Sequence, residues 1–133
     1  MTKCKKIIST VVAAAISISC ISVFAVAAEY YQNSTKFDVG TAEGTGDLLV
    51  SGTVGSASTS LNVNGGSVEV KIYGEYYSVN AGSFLSTGNG GTGTTGVTAS
   101  ISRASNGYWR TVNATYTGWY NHETGSGYLS KNF

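Results

Sequence analysis

From Val97 to Gly118 apolar and polar residues alternate. Val97, Ala99 and Ile101 are separated by Thr98 and Ser100, and Val112, Ala114 and Tyr116 are separated by Asn113 and Thr115. A period of two is the mark of a strand with one buried face. Asn106-Gly107 lies between the two runs, and this dipeptide tolerates the positive φ of a type I′ turn. The pattern predicts a β-hairpin over Val97–Gly118 with Asn106 and Gly107 as its loop. Its apolar face pairs Ile101 with Val112, Ala99 with Ala114 and Val97 with Tyr116. Its polar face pairs Ser102 with Thr111, Ser100 with Asn113 and Thr98 with Thr115. A slip of one residue would send each side chain of a strand to the wrong face. Arg103 falls opposite Arg110, near a solvated tip.

The same reading places a second hairpin over Ser58–Tyr77, turning at Asn64-Gly65-Gly66-Ser67. With Gly65-Gly66 as the loop Leu61 faces Val70, and Asn62 and Ser60 pair with Glu69 and Lys71; Asn64-Gly65 as the loop keeps the same faces but shifts the pairs. Gly74 interrupts the second strand, which predicts a bulge or a close approach of another backbone. Shorter strands are expected at Thr35–Val39, Leu48–Val54 and Tyr128–Ser130, and Gly40–Gly46 reads as a turn-rich loop. Ser86–Gly96, Ser-Thr-Gly-Asn-Gly-Gly-Thr-Gly-Thr-Thr-Gly, has no side chain able to hold a core and reads as a flexible connection. The sum is about seven strands, an all-β fold of the small antiparallel sandwich or small barrel kind.

Composition changes the picture at the N-terminus. Lys3, Lys5 and Lys6 precede an apolar run, Ile7 to Ala28, and Ala25-Val26-Ala27 has the small-x-small form of a cleavage site. Residues 1–27 are expected to be a secretory signal peptide, and 28–133 one secreted β-domain. The alternative is an uncleaved N-terminal membrane anchor, since the run is long enough to span a bilayer. Without residues 1–27 the formal charge moves from +1 to about −2, because three lysines leave and all seven acids stay. That argues against nucleic acid as a partner and against electrostatic attachment to anionic membranes. Cys4 and Cys20 both lie in the leader, so the exported part has no disulfide framework or thiolate metal site. A short basic leader and a thiol-free chain suit bacterial export. The 18 glycines, the absence of proline and the abundance of Ser, Thr and Tyr agree with strands and turns.

Candidate chemistry is sparse. The one histidine, His122, adjoins Glu123, but neighbours on a strand point to opposite faces. Asp38, Glu43 and Asp47 flank a Gly-Thr segment in a spacing that matches no recognised calcium loop. No nucleophile elbow or phosphate-binding loop is present. The expectation is a non-enzyme without cofactor or metal.

The aromatic residues carry the functional expectation. In the hairpin register Trp109 and Trp119 share the polar face, ten residues and about 34 Å apart on an extended strand. Tyr108, Trp109, Arg110, Trp119 and Tyr120 are therefore the expected ligand-binding residues, the alternative being that another strand or loop covers Trp109 and Trp119 and makes them core or rim. Amphipathic rings beside hydroxyls suit sugar stacking. The expected role is a binding or structural module for cell-wall or extracellular glycan, or for another protein. The alternative is a bacteriocin-like, membrane-active protein. Low charge and the absence of proline also permit self-association through strand edges.

Overall fold

The computed structural model describes residues 29–133; the expected signal peptide, with its alternative of a membrane anchor, lies outside the described residues. Eight strands follow in order: β1 (Tyr30–Val39), β2 (Ala42–Ser51), β3 (Val54–Leu61), β4 (Ser67–Ser78), β5 (Ser83–Gly93), β6 (Gly96–Ser102), β7 (Gly107–Tyr120) and β8 (Glu123–Asn132). They make two antiparallel four-stranded sheets, β1-β2-β3-β6 and β5-β4-β7-β8. The inward residues of the two sheets fill one core. Leu48, Val50, Ala57, Leu61, Val68, Val70, Ile72, Ala99, Ile101, Val112, Ala114 and Tyr116 are all buried in it. This is the sandwich arrangement, with one apolar face per sheet.

The alternation identified the buried faces of both expected hairpins, but their pairings differ. β6 bonds to β3, with Ala57 opposite Ala99 and Gly55 opposite Ile101. β7 lies between β4 and β8. The chain therefore crosses from one sheet to the other between Ser102 and Gly107. Likewise β3 and β4 belong to different sheets, so Leu61 and Val70 are not ladder partners. The physical reason is that both sheets bury one face against the same core. The apolar match between consecutive strands is met across the core, not along a ladder. Neither Asn106 nor Gly107 takes positive φ. Gly107 is required for another reason: a Cβ there would collide with the Tyr77 carbonyl on β4. The two-residue turns occur elsewhere. Asn121 and His122, at φ 51° and 65°, form the β7–β8 turn in the type I′ pattern. Gly40 and Gly52 supply positive φ ahead of Thr41 and Thr53 in the β1–β2 and β2–β3 turns.

The glycine-rich segment is also a strand. β5 pairs with β4 from Ser83–Ser78 to Gly93–Val68. Its composition is poor for a free strand, but β4 supplies the ladder, and neighbour context outweighs strand propensity. At its end a Cβ on Gly93 would overlap the Gly96 carbonyl, so the small residue permits the tight passage into β6. β5 lies beside β6, and β1 beside β8, so the outer edges of the two sheets meet in pairs. Asn89 Nδ2 donates to the Ser100 carbonyl across one of these junctions, at 3.0 Å.

Arg103 is not at a solvated tip facing Arg110. Its side chain is fully buried against Glu29, the first described residue, itself almost wholly buried. Glu29 Oε1 accepts from Arg103 Nε at 3.0 Å and from Nη2, while Oε2 accepts from the Trp109 backbone N–H. Arg103 Nη1 donates to the Ala104 carbonyl at 2.6 Å. One ion pair thus ties the start of β1 to the crossing between the sheets.

Candidate functional site

β7 decides which aromatic side chains reach solvent. Thr111, Asn113, Thr115, Thr117 and Trp119 point outward along it, while Val112, Ala114 and Tyr116 point into the core. Near the start of the strand the ladder with β4 shifts: Glu75 is opposite Thr111, but Tyr76 is opposite Trp109. Arg110 is the extra residue of a β-bulge, which reverses the alternation on its far side. Trp109 is thereby turned inward and is 1% exposed. Its ring meets Tyr76 edge-on, with centroids 5.8 Å apart, and Nε1 donates to the Gly52 carbonyl at 2.9 Å. Gly74 leaves the room for this ring: a Cβ there would lie 2.5 Å from Trp109 Cζ3. What approaches Gly74 is thus an indole side chain and not another backbone, and the bulge falls one residue further on, between Glu75 and Tyr76.

The expected ligand-binding residues therefore separate. Trp109 belongs to the core, and Tyr120 is partly buried and packs against it. Tyr108, Arg110 and Trp119 lie on the outer face of the β5-β4-β7-β8 sheet. The structure adds Tyr73 and Tyr77 from β4, Phe84 from β5 and Tyr128 from β8 to that face. Tyr73, Phe84, Tyr108, Trp119 and Tyr128 are 46, 43, 41, 39 and 57% exposed. The sequence carried a signal for the β4 pair, because Lys71, Tyr73, Glu75 and Tyr77 alternate with the inward Val70, Ile72 and Gly74. Phe84 and Tyr128 carried none, since their placement depends on which strands are neighbours.

At one end of the face the rings touch. Tyr77 stacks on Tyr108, with centroids 5.4 Å apart and planes at 19°, and meets Phe84 edge-on at 5.3 Å. The Arg110 guanidinium lies 4.6 Å from the Phe84 ring centre, a cation–π arrangement. Further along, Tyr73 is opposite Asn113, Tyr128 is opposite Thr115, and Trp119 closes the far end opposite Ser67. Hydroxyls and an amide separate the rings along β7. Aromatic side chains on such a surface present an apolar face to a ligand and leave the flanking groups to bond its polar atoms.

The outer face of the other sheet is different. Ser56, Ser58 and Ser60 of β3 lie beside Ser100, Thr98 and Gly96 of β6. A recess of about 330 Å³ is lined there by Gln32, Ser34, Asp47, Leu49, Ser56 and Ser58. Asp47 accepts a hydrogen bond from the Ser34 hydroxyl, and Glu43 pairs with Lys36 at 3.3 Å. Of the three acids considered for calcium, two are thus engaged within the sheet. The described residues hold no group of three or more His, Cys, Asp or Glu side chains placed to share a metal ion. Beneath this face Tyr116 Oη donates to the Asp47 carbonyl at 2.8 Å. Burial foremost, then the nearby Asp47 and Tyr31, holds the Tyr116 phenol well above its ordinary range.

Compared with protein-family models, with curated proteins and with solved structures, the chain matches none. The class that fold and surface define is a two-sheet β-sandwich with one aromatic outer face.

Proposed function

We propose that the protein is a small secreted, non-catalytic binding module that engages an extracellular ligand through the outer face of the β5-β4-β7-β8 sheet. The observation that carries this reading is the gathering of five large, exposed aromatic side chains on that one face. Large aromatics are usually buried, and exposed ones that gather on one surface mark a contact site. The opposite face exposes Tyr30, Leu49 and Val54 amid a field of serine and threonine. Glycan is the first ligand class and protein the second, because the rings are interleaved with hydroxyls and not with aliphatic side chains.

Co-sedimentation with insoluble cell-wall and extracellular polysaccharides tests the proposal. The protein is expected in the pellet, and the Tyr73→Ala/Trp119→Ala variant in the supernatant. The Ser56→Ala/Ser58→Ala variant, altered on the opposite face, is expected to pellet like the parent. Equal binding by the aromatic-face variant would move the site elsewhere. Leakage of dye from liposomes, without polysaccharide binding, would replace this reading with the membrane-active alternative.

A further inference from the structure

We infer that the ligand of the aromatic face is an uncharged, extended polysaccharide chain that lies along β4 and β7 from Tyr108 to Trp119; this rests on the binding-module reading above. The first argument is charge. The outward positions of the four strands carry four ionisable residues of formal charge, Glu69, Lys71, Glu75 and Arg110. They neutralise one another in pairs: Lys71 Nζ lies 3.7 Å from Glu69 Oε2, and Arg110 Nη1 lies 3.7 Å from Glu75 Oε2. Arg110 is held further by the Phe84 ring. A site for an anionic polymer needs a surplus of cations to replace the polymer's counterions, and a site for a cationic one needs surplus acids. This face has neither.

The second argument is the character of the groups between the rings. Ser67, Thr111, Asn113, Thr115, Thr117 and Ser130 each offer both donor and acceptor capacity, apart from their backbone groups. That suits a ligand whose polar groups are hydroxyls, which also donate and accept. The faces of sugar rings, lined by C–H groups, suit the exposed rings of Tyr73, Tyr128 and Trp119.

The third argument is length. Tyr77, the partner of Tyr108, and Ser67, the partner of Trp119, stand ten residues apart on β4. At the strand rise this is about 34 Å. The aromatic contacts are distributed over that distance, with Tyr73 and Tyr128 between the ends. Beside Tyr73 the outward positions of β5 are Gly88 and Gly90, so the flank of this ring is open. A single sugar meets one ring; a chain meets several in succession. Affinity is therefore built from repeated weak contacts, and it rises with chain length until the face is spanned.

Affinity electrophoresis in native gels tests this, with soluble neutral glucans, mannans and xylans in one set of gels and polygalacturonate in another. Retardation by at least one neutral polysaccharide is expected, with none by polygalacturonate. The retardation is expected to persist when ionic strength is raised from about 0.01 M to about 1 M, which shortens the screening length from roughly 30 Å to roughly 3 Å. Oligosaccharides of the retarding polymer are expected to compete better as they lengthen, and Trp119→Ala to lose about tenfold or more in affinity. Retardation by polygalacturonate alone, lost at high salt but dependent on Trp119, would overturn the neutral ligand while leaving the face as a binding site. Competition by a monosaccharide as strong as by the longest oligomer would overturn the extended mode. Absence of retardation in every gel, with no polysaccharide pelleting the protein, would overturn both this inference and the glycan reading beneath it.

Discussion

The two ends of β7 each carry a tryptophan, and the structure uses them in opposite ways. At one end Trp109 is buried beneath the β1-β2-β3-β6 sheet, with its indole N–H bonded to Gly52 and its backbone N–H held by Glu29. At the other Trp119 stands on the outer face among threonines, with more than a third of its surface open. The two differ by the bulge at Arg110, one residue that exchanges inside for outside on part of a strand. The lesson is that a β-bulge can partition residues of identical type into core and surface without any change in their local sequence pattern.

Removing each ring separates the two ends most strongly. Trp109→Ala is expected to cost about 3–5 kcal/mol in stability, the usual range for deleting a buried large aromatic. Trp119→Ala is expected to stay within about 0.5 kcal/mol, as surface changes do. Urea unfolding of both variants checks this, and similar midpoints would break the distinction. Glu29→Ala attacks the core end from the side. It strands the buried Arg103 guanidinium and frees the Trp109 N–H, at an expected cost of about 3–5 kcal/mol. A midpoint unchanged from the parent would show that the ion pair does not hold this end together.

Smaller effects sharpen the same contrast. Gly74→Ala places a methyl group against Trp109 and Ile101, and overpacking of this kind costs about 1–3 kcal/mol. Gly88→Ala, on the outer face of β5, meets only ordinary contacts at 3.5 Å or more and is expected to be milder. Tyr116→Phe removes the bond to the Asp47 carbonyl, for about 1 kcal/mol near neutral pH. It also changes the alkaline limb. The phenol's pKa is raised on folding, so its contribution is complete below the ordinary value of 10.0 and is lost as pH climbs from there toward the folded value. The parent is therefore expected to lose stability above about pH 10, and Tyr116→Phe to lose less. Identical alkaline profiles would contradict the burial of this phenol.

The contrast also shows what the sequence could disclose. Alternation along Val97–Ile101 and Val112–Tyr116 marked the buried faces, because period two follows from strand geometry alone. It did not identify neighbours, because an apolar strand satisfies its inward face equally against a ladder partner or across the core. Asn106-Gly107 has the composition of a hairpin turn, yet its glycine serves a close approach to Tyr77. Asn121-His122, less suggestive in composition, makes the two-residue β7–β8 turn with positive φ at both positions. Ser86–Gly96 looked structureless because a lone strand of glycine and threonine buries little; β4 provides the missing partner for Ser86–Gly93. Arg103 looked solvated because its counter-ion, Glu29, is 74 residues away in the chain. Of the surface residues, Tyr108, Arg110 and Trp119 were legible. Phe84 and Tyr128 become visible only when β5 is placed beside β4 and β8 beside β7.

The most direct test of the account is collisional quenching of tryptophan fluorescence by acrylamide, with and without a polysaccharide that pellets the protein. Two emitting populations are predicted in the parent, an accessible one from Trp119 and a shielded one from Trp109. Trp119→Phe is predicted to retain only the shielded population, and the polysaccharide to protect the accessible one selectively. Persistence of the accessible population in Trp119→Phe, or polysaccharide binding that leaves Trp119 as quenchable as before, would contradict it.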